Sequence, residues 1–412
     1  MNIDINVTST CNLGCKYCSE GHNPDMPDLA KIENSKTDVK TQDIIKFISN
    51  IGEMSMQEQK KFISNIHQKN KNETIKISFW GGEPMMNMKY CLDLMTFYKD
   101  NKNVDFFFYT NGTYIKKYKD SLKNIDSLLG VNRKNEKRLV IQISYDGKAV
   151  NDVERLTKNN TSTSEMVKEA FEILGEIGVQ RSIKSTITPR TFKYIYESFI
   201  DVITIPGCEN YFPTPDTYND YDSSLQEEYM NDLKLGLMKI AKYIYENKLP
   251  IQSFGWFRNS RALCSAGIDY FAINLDGTLS PCHGTMYQEH TDHEIGNIND
   301  EGIIDILEKA TSKYKELNNY MNDDCTECKS LFCMKCPAGS YNLSSTRENT
   351  KFKLNDFVNN QRNLNEYELN WTIKNINICK VFKLNDVIHK SLLTVLKQQP
   401  VMSNQKNCEL KR

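Results

Sequence analysis

Cys11-Asn12-Leu13-Gly14-Cys15-Lys16-Tyr17-Cys18 sets three cysteines at the spacing CX3CX2C near the start of the chain. An apolar alternating run, Ile3, Ile5 and Val7, leads into it and reads as a short β-strand. Three thiolates on one tight loop can hold three irons of a [4Fe–4S] cube and leave the fourth iron open. Structural zinc takes four protein ligands, so a bare triplet is a poor zinc site.

Outward from this loop, the first half of the chain alternates strand-like and helix-like segments. Residues 38–51 read as an amphipathic helix, and residues 54–73 as a second helix or an insertion. Strands are expected over residues 75–80, 104–109, 139–145 and 182–187. Helices are expected over 87–99, 164–177 and 191–200, with Ser162 or Ser164 as N-cap of the second and Gly178 near its stop. Repeated β-α units of this kind build a parallel sheet whose functional loops lie at the strand C-termini. The fold class is therefore α/β. Residues 205–221 are rich in Pro, Asn, Asp and Tyr and read as a boundary, followed by a long helix over 224–247. The segment Tyr211–Tyr221 reads as an interdomain spacer or as a lining of the substrate entry. The expected layout is a core over 1–205, a linker and bridging helix over 206–258, a cysteine-rich domain over 259–385 and a tail over 386–412.

The chain has 412 residues, more than one core usually holds, which supports two domains. Its 52 basic and 53 acidic residues leave a net charge of −1, so bulk electrostatics gives no case for nucleic-acid or membrane binding. No apolar run approaches the roughly 20 residues that span a bilayer. The chain enters the cysteine loop with no room for a signal peptide, and a cytoplasmic protein is expected. Of 13 cysteines, three lie in the first loop and seven between Cys264 and Cys379. Such clustering points to metal ligands rather than disulfides. Cys91, Cys208 and Cys408 read as ordinary thiols.

Gly81-Gly82-Glu83-Pro84 follows the strand ending at Trp80. Glycines let the backbone approach a partner closely, and Glu83 adds an acceptor. Alone this is a common turn. Ser144-Tyr145-Asp146-Gly147 closes a later strand, and Asn151-Asp152-Val153-Glu154-Arg155 follows it. Together with the cysteine triplet and the aromatic Tyr17 before its last cysteine, these segments resemble the radical S-adenosylmethionine (radical SAM) enzymes. The resemblance implies a partial (β/α)6 TIM-like barrel and a [4Fe–4S] cluster on Cys11, Cys15 and Cys18. SAM would chelate the open iron and be cleaved to a 5′-deoxyadenosyl radical. By the same resemblance Tyr17, Gly81, Gly82, Glu83, Thr110, Asn111, Ser144, Asp146 and Arg155 are cofactor contacts. Asn151 stands where relatives often have His. Asp146 also reads as part of a turn, and Arg155 as the partner of a barrel carboxylate. Lys184 and Thr186 are further candidates for the methionine carboxylate.

The second cysteine group is Cys264, Cys282, then Cys325-X2-Cys328-X4-Cys333-X2-Cys336, then Cys379. Apolar alternation around Asp276-Gly277 reads as a β-hairpin that delivers Cys282. A zinc knuckle on Cys325, Cys328, Cys333 and Cys336 is one reading of this stretch. The seven cysteines in this order also resemble the SPASM domain, which holds two auxiliary [4Fe–4S] clusters. The resemblance assigns Cys325, Cys328, Cys333 and Cys379 to one cluster. It assigns Cys264, Cys282 and Cys336 to the other, for three [4Fe–4S] clusters in all. The spacings depart from the usual CX2CX5CX3C, and no cysteine lies a few residues after Cys264, so the nearer cluster would have an open iron or a non-cysteine ligand.

The resemblance implies hydrogen-atom abstraction from a peptide or protein, with the auxiliary clusters as electron conduits or substrate sites. Crosslinks in ribosomal peptides and formylglycine formation are both known in the group, as are small-molecule substrates. An electron donor such as flavodoxin or ferredoxin is an implied partner. Because the cluster loop is expected to begin with no leader-binding domain ahead of it, either a separate leader-peptide-binding protein supplies that domain or the barrel binds the leader directly. Sulfatase-maturing relatives carry an Asp base where this chain has His283, which argues against that reading. His283 is the candidate catalytic base. It reads equally as a hydrogen-bonding residue beside a cluster. His22, just past the loop, is the other histidine that merits a test. The competing class is a non-enzymatic zinc-binding module.

Overall fold

This computed structural model describes residues 1–18, 56–68, 73–216, 223–257, 264–285, 294–319 and 378–397. The expected helix over 38–51, His22 and the run from Cys325 to Cys336 lie outside the described residues. The strands are β1 (Asn2–Asn6), β2 (Leu13–Cys15), β3 (Ile75–Trp80), β4 (Val104–Thr110), β5 (Leu139–Ser144), β6 (Arg155–Thr157), β7 (Gln180–Ile187), β8 (Pro213–Pro215), β9 (Tyr270–Ile273), β10 (Thr278–Ser280) and β11 (Gly296–Asn297). The helices are α1 (56–68), α2 (Met88–Phe97), α3 (Lys119–Leu129), α4 (Lys148–Glu154), α5 (Ser164–Glu176), α6 (Ile195–Ile203), α7 (Gln226–Glu246), α8 (Ile303–Asn319) and α9 (Ile378–Lys397).

Nine strands form one sheet in the order β11-β10-β9-β1-β3-β4-β5-β7-β8. From β1 to β8 every pairing is parallel, which gives the six strands of a partial barrel. On the other edge, β9 joins β1 in parallel and then turns back into β10. The hairpin anticipated around Asp276-Gly277 is therefore part of the barrel's own sheet. Likewise, β8 adds the last parallel strand from inside the stretch expected to be a linker. The helix after it, α7, packs on α6 and α9.

The two faces of the sheet differ in chemistry. Ile3, Ile5, Ile77, Phe79, Phe106, Phe108, Ile141, Ile143 and Ile187 are buried in the main core with residues of the surrounding helices. Phe79 and Phe108 sit 4.7 Å apart across β3 and β4. Alternate positions carry Asp4, Asn6, Ser78, Trp80, Tyr109, Gln142, Ser144, Lys184 and Thr186. Register keeps these on one side, as in Asp4↔Ser78, Asn6↔Trp80 and Ser144↔Lys184. A parallel sheet packed on both faces reads as continuous apolar runs. The alternation here marks an inner face kept for polar work.

The strand N-termini are fastened by Arg138, which is fully buried just before β5. Its guanidinium donates to the carbonyls of Tyr98, Lys99, Asn101, Val104 and Leu129. It thus ties the ends of α2 and α3 to the starts of β4 and β5. On the next unit Gly178, at φ +75°, ends α5, and its neighbour Val179 donates back to the Leu174 carbonyl at 3.0 Å.

Candidate functional site

The cysteine loop is strapped to the segment after β5. β2 pairs antiparallel with β6, Cys15 opposite Arg155. Lys16 N–H donates to the Glu154 carbonyl at 2.9 Å, and Cys18 N–H to the Cys15 carbonyl at 3.1 Å. Below the loop lie three buried side chains. The Tyr17 hydroxyl donates to the Asp146 carboxylate, and Arg155 donates to the Tyr17 oxygen at 2.7 Å. The other Asp146 oxygen accepts the Thr186 backbone N–H at 2.7 Å. Burial pushes the Asp146 carboxyl up, against the pull of Arg155, the Tyr17 hydroxyl and the Thr186 N–H. Burial also opposes the charge on Arg155, but Cys15, Tyr17 and Asp146 outweigh it and hold its pKa well above the ordinary value. Asn151 accepts the Asp146 N–H at 3.0 Å and donates to Thr163.

The glycine-rich turn presses on the other side of the loop. Gly82 N–H donates to the Thr8 carbonyl at 2.8 Å, and Glu83 N–H to the Thr10 carbonyl at 2.9 Å. A Cβ on Gly82 would stand 2.3 Å from the Thr10 oxygen, so only glycine fits without moving the loop. Gly81, at φ +125°, would meet the Thr8 oxygen at 2.2 Å. Glu83 is fully buried. Its Oε1 accepts from Met85 N–H at 3.0 Å and the Thr110 hydroxyl at 2.7 Å, and its Oε2 from Asn111 N–H at 2.7 Å. Burial raises this carboxyl while those three donors pull it down. The turn therefore binds the loop to β4, with its carboxylate turned into protein. The Asn111 side chain continues the link, donating to Asn12 at 2.9 Å and to the Cys11 sulfur at 3.9 Å.

Cys11, Cys15 and Cys18 are free thiols on this framed loop. Burial pushes Cys11 up to about 12 and also raises Cys15, whose thiolate Arg155 favours. Such thiols give up protons only to a strong Lewis acid, and iron supplies one. Among the described residues no three His, Cys, Asp or Glu side chains close on a single-ion site. A cubane asks instead for one thiolate per iron, which three separate soft donors on one loop can give. The Ser144 hydroxyl makes no hydrogen bond among the described residues, and Ser144 stands beside Lys184 on the inner face.

On the opposite edge, the hairpin brings Cys264 and Cys282 into one small cluster with Ala266 and Tyr270. His283, next in sequence, packs its ring on Trp80 with centroids 4.1 Å apart. Its Nδ1 stands 2.9 Å from Oδ2 of Asp4, which also accepts the Tyr270 hydroxyl. Tyr109 meets the edge of Trp80 at 5.2 Å. Asn6 donates to Asn274 at 3.0 Å, a second tie between β1 and the hairpin. Cys379 lies in the first turn of α9, whose side chains Asn385 and His389 dock on Trp256 and Phe257. Sequence reasoning missed Asp4, Trp80, Tyr109 and Tyr270. The available signal was a charged residue between Ile3 and Ile5 and aromatics at strand ends, where apolar alternation leaves the inner face.

Comparison with known proteins agrees with this geometry. The Radical SAM superfamily profile matches residues 5–193, and an iron–sulfur cluster-binding (SPASM) profile matches residues 264–330. The chain carries a radical SAM domain joined to a SPASM domain. The radical SAM match spans the cysteine loop, the glycine-rich turn and the segment through Arg155, and the SPASM match includes Cys264, Cys282, Cys325 and Cys328. An uncharacterized protein of Methanocaldococcus jannaschii is 25% identical over 211 residues, 50% of this chain and 59% of that one. The radical SAM cyclopropyl synthase TigE of Paramaledivibacter caminithermalis is 20% identical over 343 residues, 78% of this chain and 65% of TigE. This chain thus spans under two thirds of the length of both relatives. The GTP 3′,8-cyclase of Petrotoga mobilis is 21% identical over 336 residues, 78% of this chain and 92% of the cyclase. In fold the chain is similar to native anSMEcpe with bound AdoMet, at TM-score 0.64, 16% identity and coverage of 96% and 99%. The same enzyme with AdoMet and the Cp18Cys peptide gives 0.63 with the same coverage. SAM and iron–sulfur clusters belong with these two domains. Among the described residues no helix of this radical SAM protein is long and apolar enough to cross a membrane.

Proposed function

We propose that this radical SAM–SPASM enzyme abstracts a hydrogen atom from a peptide or protein and leaves an oxidative modification, a thioether, carbon–carbon or cyclophane crosslink in a ribosomal peptide. The observation that carries the reading is the framed loop: Arg155, Tyr17 and Asp146 below it and the glycine-rich turn beside it. Cys11, Cys15 and Cys18 would hold a [4Fe–4S] cluster, which with SAM would supply the radical chemistry. The chain's residues do the rest. Tyr17, Gly81, Gly82, Glu83, Thr110, Asn111, Asp146 and Arg155 hold the loop in one geometry, and Ser144 offers an unused hydroxyl on the inner face. His283 is the candidate proton acceptor for the oxidised product. Asp4 takes its Nδ1 side, which leaves Nε2 for substrate. Auxiliary clusters on Cys325, Cys328, Cys333 and Cys379, and on Cys264, Cys282 and Cys336, complete the reading.

The peptide-bound form of anSMEcpe supports a peptide substrate by likeness alone. A flavodoxin or ferredoxin would deliver the electron, and a leader-binding protein is a further partner of this reading. Formylglycine formation is the second reading, favoured by the likeness in fold to a sulfatase-maturating enzyme and opposed by His283 where an acid is usual. The test is iron content and 5′-deoxyadenosine formation after anaerobic reconstitution. Three cubanes predict about 12 irons per chain, and about 8 in a Cys11/Cys15/Cys18→Ala variant that no longer cleaves SAM. Zinc in place of iron, or SAM cleavage that survives the triple change, would sink the proposal.

A further inference from the structure

Lys184 is a cation on the inner face that the framed loop does not use. It sits mid-strand in β7, opposite Ser144 in register. Its ammonium donates to the Thr214 hydroxyl on β8 and lies 5.2 Å from the centre of the Phe212 ring. An ammonium has three protons to donate, and Thr214 takes one. Among the described residues no carboxylate pairs with Lys184. Burial alone acts on its charge, and it pushes the pKa down to about 8. The two buried arginines among the described residues are compensated. Arg155 has Tyr17 and Asp146, and Arg138 has five carbonyls.

A half-buried charge without a counter-charge is partly desolvated, at a cost in free energy that an incoming anion offsets. We infer that Lys184 anchors a carboxylate of the substrate inside the barrel, an acidic side chain or a peptide C-terminus. The inference rests on the peptide reading above and narrows it. Lys184 stands opposite Ser144, an expected cofactor contact, so this subsite adjoins the cofactor's on the inner face. The glycine-rich turn closes β3, whereas Lys184 is three strands away across the sheet, about 14 Å at the usual strand spacing. A carboxylate bound beside the loop lies in the field of Arg155, and one bound at β7 and β8 meets Lys184, Thr214 and the Phe212 ring.

The experiment uses anaerobically reconstituted full-length enzyme with SAM, panned against a random linear peptide library displayed on mRNA. Wild type is compared with Lys184→Met, which keeps the volume and removes the charge, and with Lys184→Glu. Thermal unfolding checks that both variants fold, and equilibrium dialysis measures SAM affinity. Wild type is expected to enrich Asp, Glu or a free C-terminus by about tenfold, the usual scale of one charge-assisted contact. The Met variant loses that enrichment and the Glu variant turns it to Lys and Arg, with SAM affinity near that of wild type. Equal selection by all three proteins overturns the inference. So does a tenfold loss of SAM affinity in the Met variant with peptide selection unchanged, which would hand Lys184 to the cofactor. Absence of SAM cleavage by wild type would remove the proposed reaction and leave the library comparison readable.

Discussion

Two arginines are buried in this barrel, at opposite ends of its strands, and they do different work. Arg138, at the strand N-termini, donates only to backbone carbonyls, with Asp105 and Asp100 acting on its charge. Arg155, at the C-terminal rim, meets a phenol and a carboxylate and acts on the Cys15 thiol. The first closes the floor and has no route to the chemistry. The second links the ground under the cysteine loop to the loop's own thiols. Polar partners that are all backbone mark a stability device. Titratable partners next to ligands mark a site.

The comparison breaks most visibly at the floor. Arg138→Met leaves five buried carbonyls without their donor and is expected to cost about 3–5 kcal/mol, read from urea unfolding. The surviving folded protein should bind iron and SAM as wild type does, and a selective loss of iron would refute the division. Arg155→Met sharpens it from the other side. Asp146 is left buried without its cation, at about 3 kcal/mol, and here iron occupancy of the first cluster should fall as well. Adding Asp146→Asn to that variant should recover part of the stability and not the iron. Full recovery of both would mean that the pair only fills space. The smallest effect is expected at Gly82→Ala. A Cβ that meets the Thr10 oxygen must push the loop, for about 1–3 kcal/mol, and SAM affinity should fall more than stability does. An unchanged affinity would mean that the turn does not set the loop's position.

Much of this was readable along the chain. The strands at 75–80, 104–110 and 139–144 follow from apolar alternation, and the cysteine loop from its spacing. Strand β8, three residues long with a proline at each end, carries no such periodicity and was hidden in a stretch that reads as a spacer. Helices α3 and α8 were missed too, although α3 is amphipathic, because Lys- and Asn-rich surfaces dilute the apolar stripe. At the site, the Gly-Gly-Glu turn was legible as a motif, but its partners were not. Glu83 is satisfied by groups on β4, and nothing near it in sequence announces them.

The sequence by itself determined what depends on near neighbours. Chelating spacing, strand period and glycine turns are set by a few consecutive residues, because bond geometry fixes their reach. Only the tertiary structure decided which charges meet. Tyr17 finds Asp146 and Arg155 at separations of 129 and 138 residues, and His283 finds Asp4 at 279. It also decided that Lys184 meets no carboxylate among the described residues. Hydrogen bonds and desolvation act over a few ångströms, so their partners exist only once parallel pairing has laid distant strands side by side.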